Sequence, residues 1–375
     1  MGAPVRLSLA EVHALTRDTL VAAGLGEAHA QAIARSITRA EADECHSHGL
    51  YRLIGYVASV RSGKAERHAL PALTKATPAV LRVDARRGFA PLAVETGVPA
   101  LIAAAKQIGI AALAIHDCYH FSALWADIEP AAEAGLAAWC FTVGQSCVAP
   151  AGGTTPLLGT NPFAFGWPSP VGRPFIFDFA TSAAARGEIE LKRRAGEQIP
   201  LGWAVGPDGA PTTDPAAALA GALLPFGGHK GSALSTMVEL IAGPLIGDLT
   251  SRQSKGIENG DGGPPLGGEL FIAIDPAVFG TESLSSRLAD ADEIFALAKA
   301  QPGVRLPAER RYAARERSRK DGITVPATLF AEYPSRLVEP VLGLAEGKTR
   351  GLTPQDEGAL GNLEPRHGRA WPGHP

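Results

Sequence analysis

Three residues near the start of the chain could do proton chemistry together. Ser47, His48 and Arg52 stand in the run Asp43-Glu44-Cys45-His46-Ser47-His48-Gly49-Leu50-Tyr51-Arg52. An imidazole with an ordinary pKa of about 6.5 gives or takes a proton near neutral pH. A guanidinium four residues on offers a planar fork that grips a carboxylate through two hydrogen bonds. If the segment is helical, positions 48 and 52 share a face, with Cβ atoms about 5–6 Å apart. That face would hold a carboxylate with a proton donor beside it. The plain alternative is a capped helix with a surface histidine and arginine.

Further segments could hold the rest of a site. His120-Phe121-Ser122-Ala123-Leu124 runs into an expected helix, whose first-turn amides suit a pyrophosphate and to which Ser122 adds a hydroxyl. His120 alone is weak evidence, since a satisfied core or capping histidine is the commoner case. Leu158-Gly159-Thr160-Asn161-Pro162 allows a tight turn that presents the Thr160 hydroxyl, or simply leads into a strand. Asp178, Phe179 and Ala180 close a short strand, and Arg186, Gly187 and Glu188 lie in the helix after it. Glu188 is either a partner for the imidazole or an exposed residue paired with Lys192 at i, i+4. Gly227-Gly228-His229-Lys230 combines two glycines and a cation at a helix start, which suits phosphate or merely caps a buried helix. Pro307, Glu309, Arg310 and Arg311 make a charged turn. GxGxxG occurs nowhere, so any dinucleotide is bound without a Rossmann phosphate loop. No CxxC pair or metal-ligand cluster is present, and no metal is expected.

The elements that must position these residues start with helices. Ser8-Leu9-Ala10-Glu11 is a capping box, and the helix it opens stops at Gly24 and Gly26. A second helix is expected over about 27–42 and a third from near His48 to near Gly63. Beyond Pro71, strands (80–83, 110–115, 136–143, 175–179, 270–274) alternate with helices (99–108, 123–134, 183–195, 230–242). Six glycines and prolines within 251–266 read as a mobile loop, charge at 309–320 as a solvated helix face, and 361–375 as a disordered tail.

Composition narrows the function classes. With 35 basic and 38 acidic residues the net charge is −3, which argues against nucleic acid or an anionic membrane as the main partner. Cys45, Cys118, Cys140 and Cys147 form no disulfide framework, so a reducing, cytoplasmic setting is expected. The N-terminus lacks the apolar core of a signal peptide, and 232–246 is too short and carries Glu239, so no membrane span is expected.

Taken in order, these segments resemble one family. Ser47-His48-Gly49-Leu50-Tyr51-Arg52 is similar to the SHGxxR signature of the malate/lactate dehydrogenase-like oxidoreductases, which lack the Rossmann fingerprint. The segments at 120–124, 158–165, 178–188, 224–234 and 307–311 match that family in the same order. The resemblance spans roughly residues 8 to 345. It implies an α/β fold, with a non-Rossmann NAD(P)-binding domain built on a largely antiparallel sheet, plus helical lobes. It implies a helical lobe at 1–80 joined by 305–345, a cofactor domain at 81–210 and 265–304, a lobe and loop at 211–264, and a homodimer. His48 would be the acid/base with Ser47 and Glu188 beside it, and Arg52, Thr160, Arg186 and Gly187 would face the substrate. Cofactor contacts would come from His120, Phe121, Ser122, Ala123, Leu124, Asp178, Phe179, Ala180, His229, Lys230, Pro307, Glu309, Arg310 and Arg311.

Within the family the Δ1-piperideine-2-carboxylate/Δ1-pyrroline-2-carboxylate reductases are the nearest match. Position 188 is acidic here, where the hydroxy-acid members tend to carry lysine, and the segments 118–125 and 221–230 agree best with the imine reductases. The expected activity is reduction of a cyclic 2-imino acid with NADPH, NADH being the alternative. A 2-hydroxy-acid dehydrogenase is the first alternative, and a non-catalytic small-molecule-binding protein on the same fold is the second.

Overall fold

The computed structural model describes residues 4–121, 123–169 and 172–330. Ser122 and the tail expected at 361–375 lie outside the described residues. The chain opens on β1 (Val5–Leu7), α1 (Leu9–Ala22) and α2 (Glu27–Ala42). The capping box is formed: Ser8 Oγ accepts from the Glu11 amide at 3.2 Å, and the Glu11 carboxylate accepts from the Ser8 amide at 2.6 Å. Two 3-10 turns, His46–His48 and Leu50–Arg52, then lead into α3 (Leu53–Ser62). The continuous helix expected from His48 is therefore broken at Gly49, for a reason that lies in α2 and is given below.

A seven-stranded sheet dominates the centre. Its strands are β2 (Ala72–Lys75), β3 (Val80–Asp84), β4 (Ile110–Tyr119), β5 (Ala137–Thr142), β6 (Phe163–Trp167), β7 (Phe175–Phe179) and β11 (Leu266–Ile274), in the order β2-β3-β4-β11-β5-β6-β7. Only β3 and β4 run parallel. They are joined through α4 (Ala90–Ile108), because parallel neighbours need a crossover that a helix supplies. All other pairings are antiparallel, as the family resemblance implies. The helix expected from Pro99 begins nine residues earlier, at Ala90. Pro99 and Glu95 are both exposed, so the carbonyl that loses its partner to the proline faces water.

One face of the sheet packs on α4 and α5 (Leu124–Glu133) through Val83, Leu113, Ile115, Phe271, Cys140 and Ile176, which meet Leu101, Ala105 and Ile128. The other face is aromatic. Trp139, Phe163, Phe165, Phe175, Phe177 and Phe179 lie in ring contact along β5, β6 and β7.

After β7 come α6 (Arg186–Ala195), β8 (Ala204–Val205), β9 (Pro211–Thr212), α7 (Pro215–Ala220) and β10 (Ala222–Leu223). The three short strands pair in the order β10-β8-β9. Then follow α8 (His229–Ala242) and α9 (Ser251–Gly256), and, beyond β11, α10 (Leu284–Lys299), α11 (Glu309–Asp321) and β12 (Ile323–Val325). β12 pairs antiparallel with β1, so both ends of the described chain close on each other.

The segment expected to be a mobile loop is anchored. Thr250 caps α9 in a capping box with Gln253. The Asp261 carboxylate accepts from Lys64 Nζ at 2.6 Å, Ser62 Oγ at 3.0 Å and the Gly263 amide at 2.8 Å. Glycine density marks close approach here rather than freedom: a Cβ on Gly263 would come within 1.8 Å of Ser59 Oγ. All four cysteines are unpaired. Among the described residues no helix is long and apolar enough to cross a membrane.

Candidate functional site

The turn that carries Ser47, His48 and Arg52 is shaped by a buried carboxylate. Glu41, near the end of α2, accepts the Leu50 amide at 2.7 Å through Oε1 and meets His46 Nδ1 at 2.7 Å through Oε2. That carboxylate fills the space beside Gly49, where a Cβ would come within 2.0 Å of Oε1. Glu41 also holds the pKa of His46 above its ordinary value. The chain therefore bends between two short turns, and His48 and Arg52 are placed by the bend instead of by one helix face. Arg52 Nε donates to the Ser47 carbonyl at 2.6 Å, which closes the turn.

Arg52 is a cation without an anion. Its guanidinium carbon lies 4.4 Å from the Phe121 ring centroid and 5.3 Å from that of Tyr51. Among the described residues no carboxylate pairs with it. A buried charge left in this way costs free energy unless a ligand supplies the counter-charge. Gly187, on the first turn of α6, packs against the same group: a Cβ there would stand 2.9 Å from Arg52 Nη2 and 3.8 Å from Ser47 Cβ.

His48 lies next to that cation. Its Nδ1 is 3.0 Å from Ser47 Oγ, and its ring meets Trp125 edge-on at 5.7 Å and 89°. Nε2 has no hydrogen-bond partner among the described residues. Burial, and then the charge of Arg52, pull the pKa down to about 3, so the imidazole is neutral at pH 7.

The other expected residues fall into three groups. Phe121, Asp178 and Arg311 join the cluster. Phe121 lies against Arg52, and the Asp178 carboxylate accepts the Trp125 amide at 3.2 Å. Burial raises the Asp178 pKa to about 6. Arg311 reaches the Trp125 ring at 5.4 Å and donates to the Ile176 carbonyl at 2.9 Å. One first-turn amide of α5 is thus already used by a protein carboxylate. A second group is built into the framework. His120 is buried with Nε2 3.2 Å from Thr142 Oγ1, and burial lowers its pKa to about 4. Ala123 caps α5 and Leu124 is in the core. The Thr160 carbonyl accepts from the Thr181 amide at 2.8 Å and from Thr181 Oγ1 at 3.0 Å. Glu309 pairs with Lys299 at 2.7 Å.

The third group stays at the surface. Arg186, Glu188, Phe179, His229, Lys230, Pro307 and Arg310 are exposed and Ala180 is half-buried. None of these eight touches His48 or Arg52 through a hydrogen bond, ion pair or ring contact among the described residues. Glu188 makes no ion pair with Lys192, which pairs with Glu197 instead at 3.0 Å.

Several residues around the site escaped the sequence reading: Glu41, Asp43, Trp125, Glu129 and Arg315. Asn161 is fully buried at φ +35°, and its amide donates to Glu239 Oε2 at 2.7 Å and to the Ser235 carbonyl at 3.1 Å. A signal for Glu41 did exist, since it is an acid between two alanines at the end of an alanine-rich helix.

The start of α8 is open and uncapped. Gly227 and Gly228 sit at φ +57° and +61° with open space where a Cβ would be, and the helix has no side-chain cap. Lys230 is exposed in its first turn. Uncapped amides, a backbone cradle and a cation suit the phosphates of a dinucleotide.

Comparisons with known proteins add kinship to this geometry. The profile of the malate/L-lactate dehydrogenase family matches residues 7–333. The chain is 91% identical over 332 residues to the Δ1-pyrroline-2-carboxylate reductase of Ancylobacter novellus, covering 88% of this chain and 97% of that protein. It is 52% identical over 328 residues to the Δ1-pyrroline-2-carboxylate/Δ1-piperideine-2-carboxylate reductase of Pseudomonas aeruginosa, covering 88% and 98%. Its fold superposes on the crystal structure of Δ1-piperideine-2-carboxylate reductase from Pseudomonas syringae pv. tomato with a TM-score of 0.82 at 39% identity, covering 89% and 99%. The malate dehydrogenase of Entamoeba histolytica also superposes at a TM-score of 0.82, at 25% identity, covering 91% and 98%.

Proposed function

This chain belongs to the malate/L-lactate dehydrogenase family, and from that premise we propose that it reduces a cyclic 2-imino acid. The substrate is Δ1-pyrroline-2-carboxylate, Δ1-piperideine-2-carboxylate or both, and the product is L-proline or L-pipecolate. One observation carries the reading: a guanidinium at Arg52 that has no carboxylate partner among the described residues and lies against two aromatic rings, beside an imidazole whose Nε2 has no hydrogen-bond partner among them.

The family works with a nicotinamide cofactor, which supplies the hydride when bound. Lys230, with the backbone at Gly227 and Gly228, would hold its phosphates. We take NADPH as the cofactor because Arg310 is an exposed cation without an ion pair among the described residues, available to an extra phosphate.

Arg52 receives the substrate carboxylate through its fork, with Thr160 as the second contact. The carboxylate offsets the field of Arg52, the second cause of the low His48 pKa, so the imidazole takes up a proton more readily with substrate in place than without. His48 Nε2 then passes that proton to the ring nitrogen, which leaves C2 electron-poor and ready for hydride. Ser47 Oγ holds Nδ1, one corner of the ring. Glu188 stays exposed on α6 and does not bond to the ring. Water restores the His48 proton after product leaves.

The chain acts as a homodimer in this reading. The aromatic face of β5, β6 and β7 is a broad apolar surface that α8 covers only in part, and its ring at Phe179 is 41% exposed. A second copy is the occupant we assign to it. Dissociation of a Phe177→Glu variant in sedimentation would support this, and a wild-type monomer would refute it.

The test of function is NADPH oxidation with Δ1-pyrroline-2-carboxylate, beside pyruvate and oxaloacetate. Turnover on the cyclic imine is expected. Preferential turnover on the keto acids would overturn the reading in favour of a hydroxy-acid dehydrogenase.

A further inference from the structure

Trp125 is held more firmly than a core residue needs to be. Its indole Nε1 donates to Asp43 Oδ2 at 2.9 Å, in a fully buried setting. Asp43 is gripped by both arms of Arg315, at 2.7 and 2.8 Å. Arg315 also reaches both oxygens of Glu129 at 3.1 Å, and Glu129 takes Arg39 as a further partner. The backbone amide of Trp125 is bound by Asp178, and the Arg311 guanidinium lies on its ring. The indole is therefore fixed through its N–H, through one face and through its backbone.

What this rigid ring touches is His48. Among the described residues the imidazole has one hydrogen bond, to Ser47, and one bond at one corner leaves a ring free to swing. The edge-on contact with Trp125 is the second restraint. We infer that Trp125, anchored by Asp43 and Arg315, is a positioning residue that fixes the imidazole plane of His48. This goes beyond the proposed activity but rests on His48 being the acid of that reaction. It also gives α11 a task, because Arg311 and Arg315 both hang from it: the helix closes the back of the acid's seat.

The charged groups around the imidazole come from every neighbouring element. Arg52 lies on its own turn, Asp43 follows α2, Asp178 is on β7 and Arg311 on α11, the last three acting across Trp125. Arg186 and Glu188 on α6 are exposed. Only Arg52 bears on His48 directly; removing the indole takes one donor from Asp43 and a ring from Arg311, which stay held by Arg315 and by the Ile176 carbonyl.

The experiment compares the wild-type protein with Trp125→Phe and Trp125→Leu. Trp125→Phe keeps an aromatic edge but loses the anchor, and should lower kcat about 10-fold with KM for the imine within about twofold. Trp125→Leu should lower kcat about 100-fold on the same grounds. NADPH affinity, read by fluorescence, should stay unchanged. The decisive readout needs no turnover. The His48 ring proton is followed by NMR against pH in the apo protein, and its titration should move up in Trp125→Leu as the aromatic edge packed on the ring is lost. Were Trp125→Leu not to fold, Trp125→Phe carries the same test with a smaller shift. An unmoved His48 titration overturns the inference, whatever happens to activity. A shifted titration upholds it even if the wild-type protein turns over no cyclic imine, a result that would defeat only the proposed function.

Discussion

Adding one methyl group at Gly187 should separate substrate binding from folding. The Cβ of a Gly187→Ala variant would lie 2.9 Å from Arg52 Nη2, against a comfortable carbon–nitrogen contact of about 3.5 Å. The guanidinium must move by roughly 0.6 Å. It is poorly free to do so, because Nε is bonded to the Ser47 carbonyl at 2.6 Å and the plane is trapped by Phe121 and Tyr51. A charge-assisted bond of about 1.5–3 kcal/mol is thus partly lost, or the fork is turned from its carboxylate. Taking about 1–2 kcal/mol as the loss, KM for the imino acid should rise roughly 5- to 30-fold. The interaction is made in the ground state and the transition state alike, so kcat should change little. Stability should change by no more than about 1 kcal/mol, since the gain from alanine in α6, where φ lies outside the left-handed region, offsets part of the strain at Arg52. Steady-state kinetics beside urea unfolding measure both. An unchanged KM in a stable variant would refute the placement of Gly187 against the carboxylate receptor.

Three more outcomes follow from the same geometry. Arg52→Lys keeps the charge but loses the fork and the stacked plane, so kcat/KM for the imino acid should fall about 100-fold in steady-state assays with the cofactor Kd unchanged. Glu41→Ala removes the buried acceptor of the Leu50 amide and the support beneath Gly49, and should cost about 2–3 kcal/mol in urea unfolding. His120 bears on pH stability. Its folded pKa of about 4 lies below the ordinary value of about 6.5, so the unfolded chain takes up the proton first. Its contribution is complete above about pH 6.5 and is lost as pH falls toward 4, at about 1.4 kcal/mol per pH unit. His120→Asn should flatten that slope in unfolding measurements across the same window.

Local pattern carried much of this molecule in plain view. The capping box at Ser8, the strand at 175–179 and the start of α8 after two glycines each depend on neighbours in sequence, and each stands where the chain implies it. The Ser47, His48 and Arg52 cluster was legible for the same reason, as a short run of matched residue types. Its geometry was not. Helical spacing would have put His48 and Arg52 on one face, but a carboxylate from α2 breaks the helix at Gly49. Glu188 shows the limit in another form. Its sign suggested a partner for His48, yet consecutive residues on a helix point about 100° apart. The register that sets Gly187 against Arg52 turns Glu188 to solvent.

What the sequence by itself determined was the inventory of chemistry, the caps and the alternation of strands with helices, because those depend on residues within one or two turns of each other. What only the tertiary structure decided was who meets whom across the chain. Asp43 and Arg315 are 272 positions apart, and β11 enters between β4 and β5 although about 120 residues separate it from β5 in the chain. No local periodicity encodes such pairings. They are selected when burial of the whole core forces each buried charge and each sheet edge to find its partner.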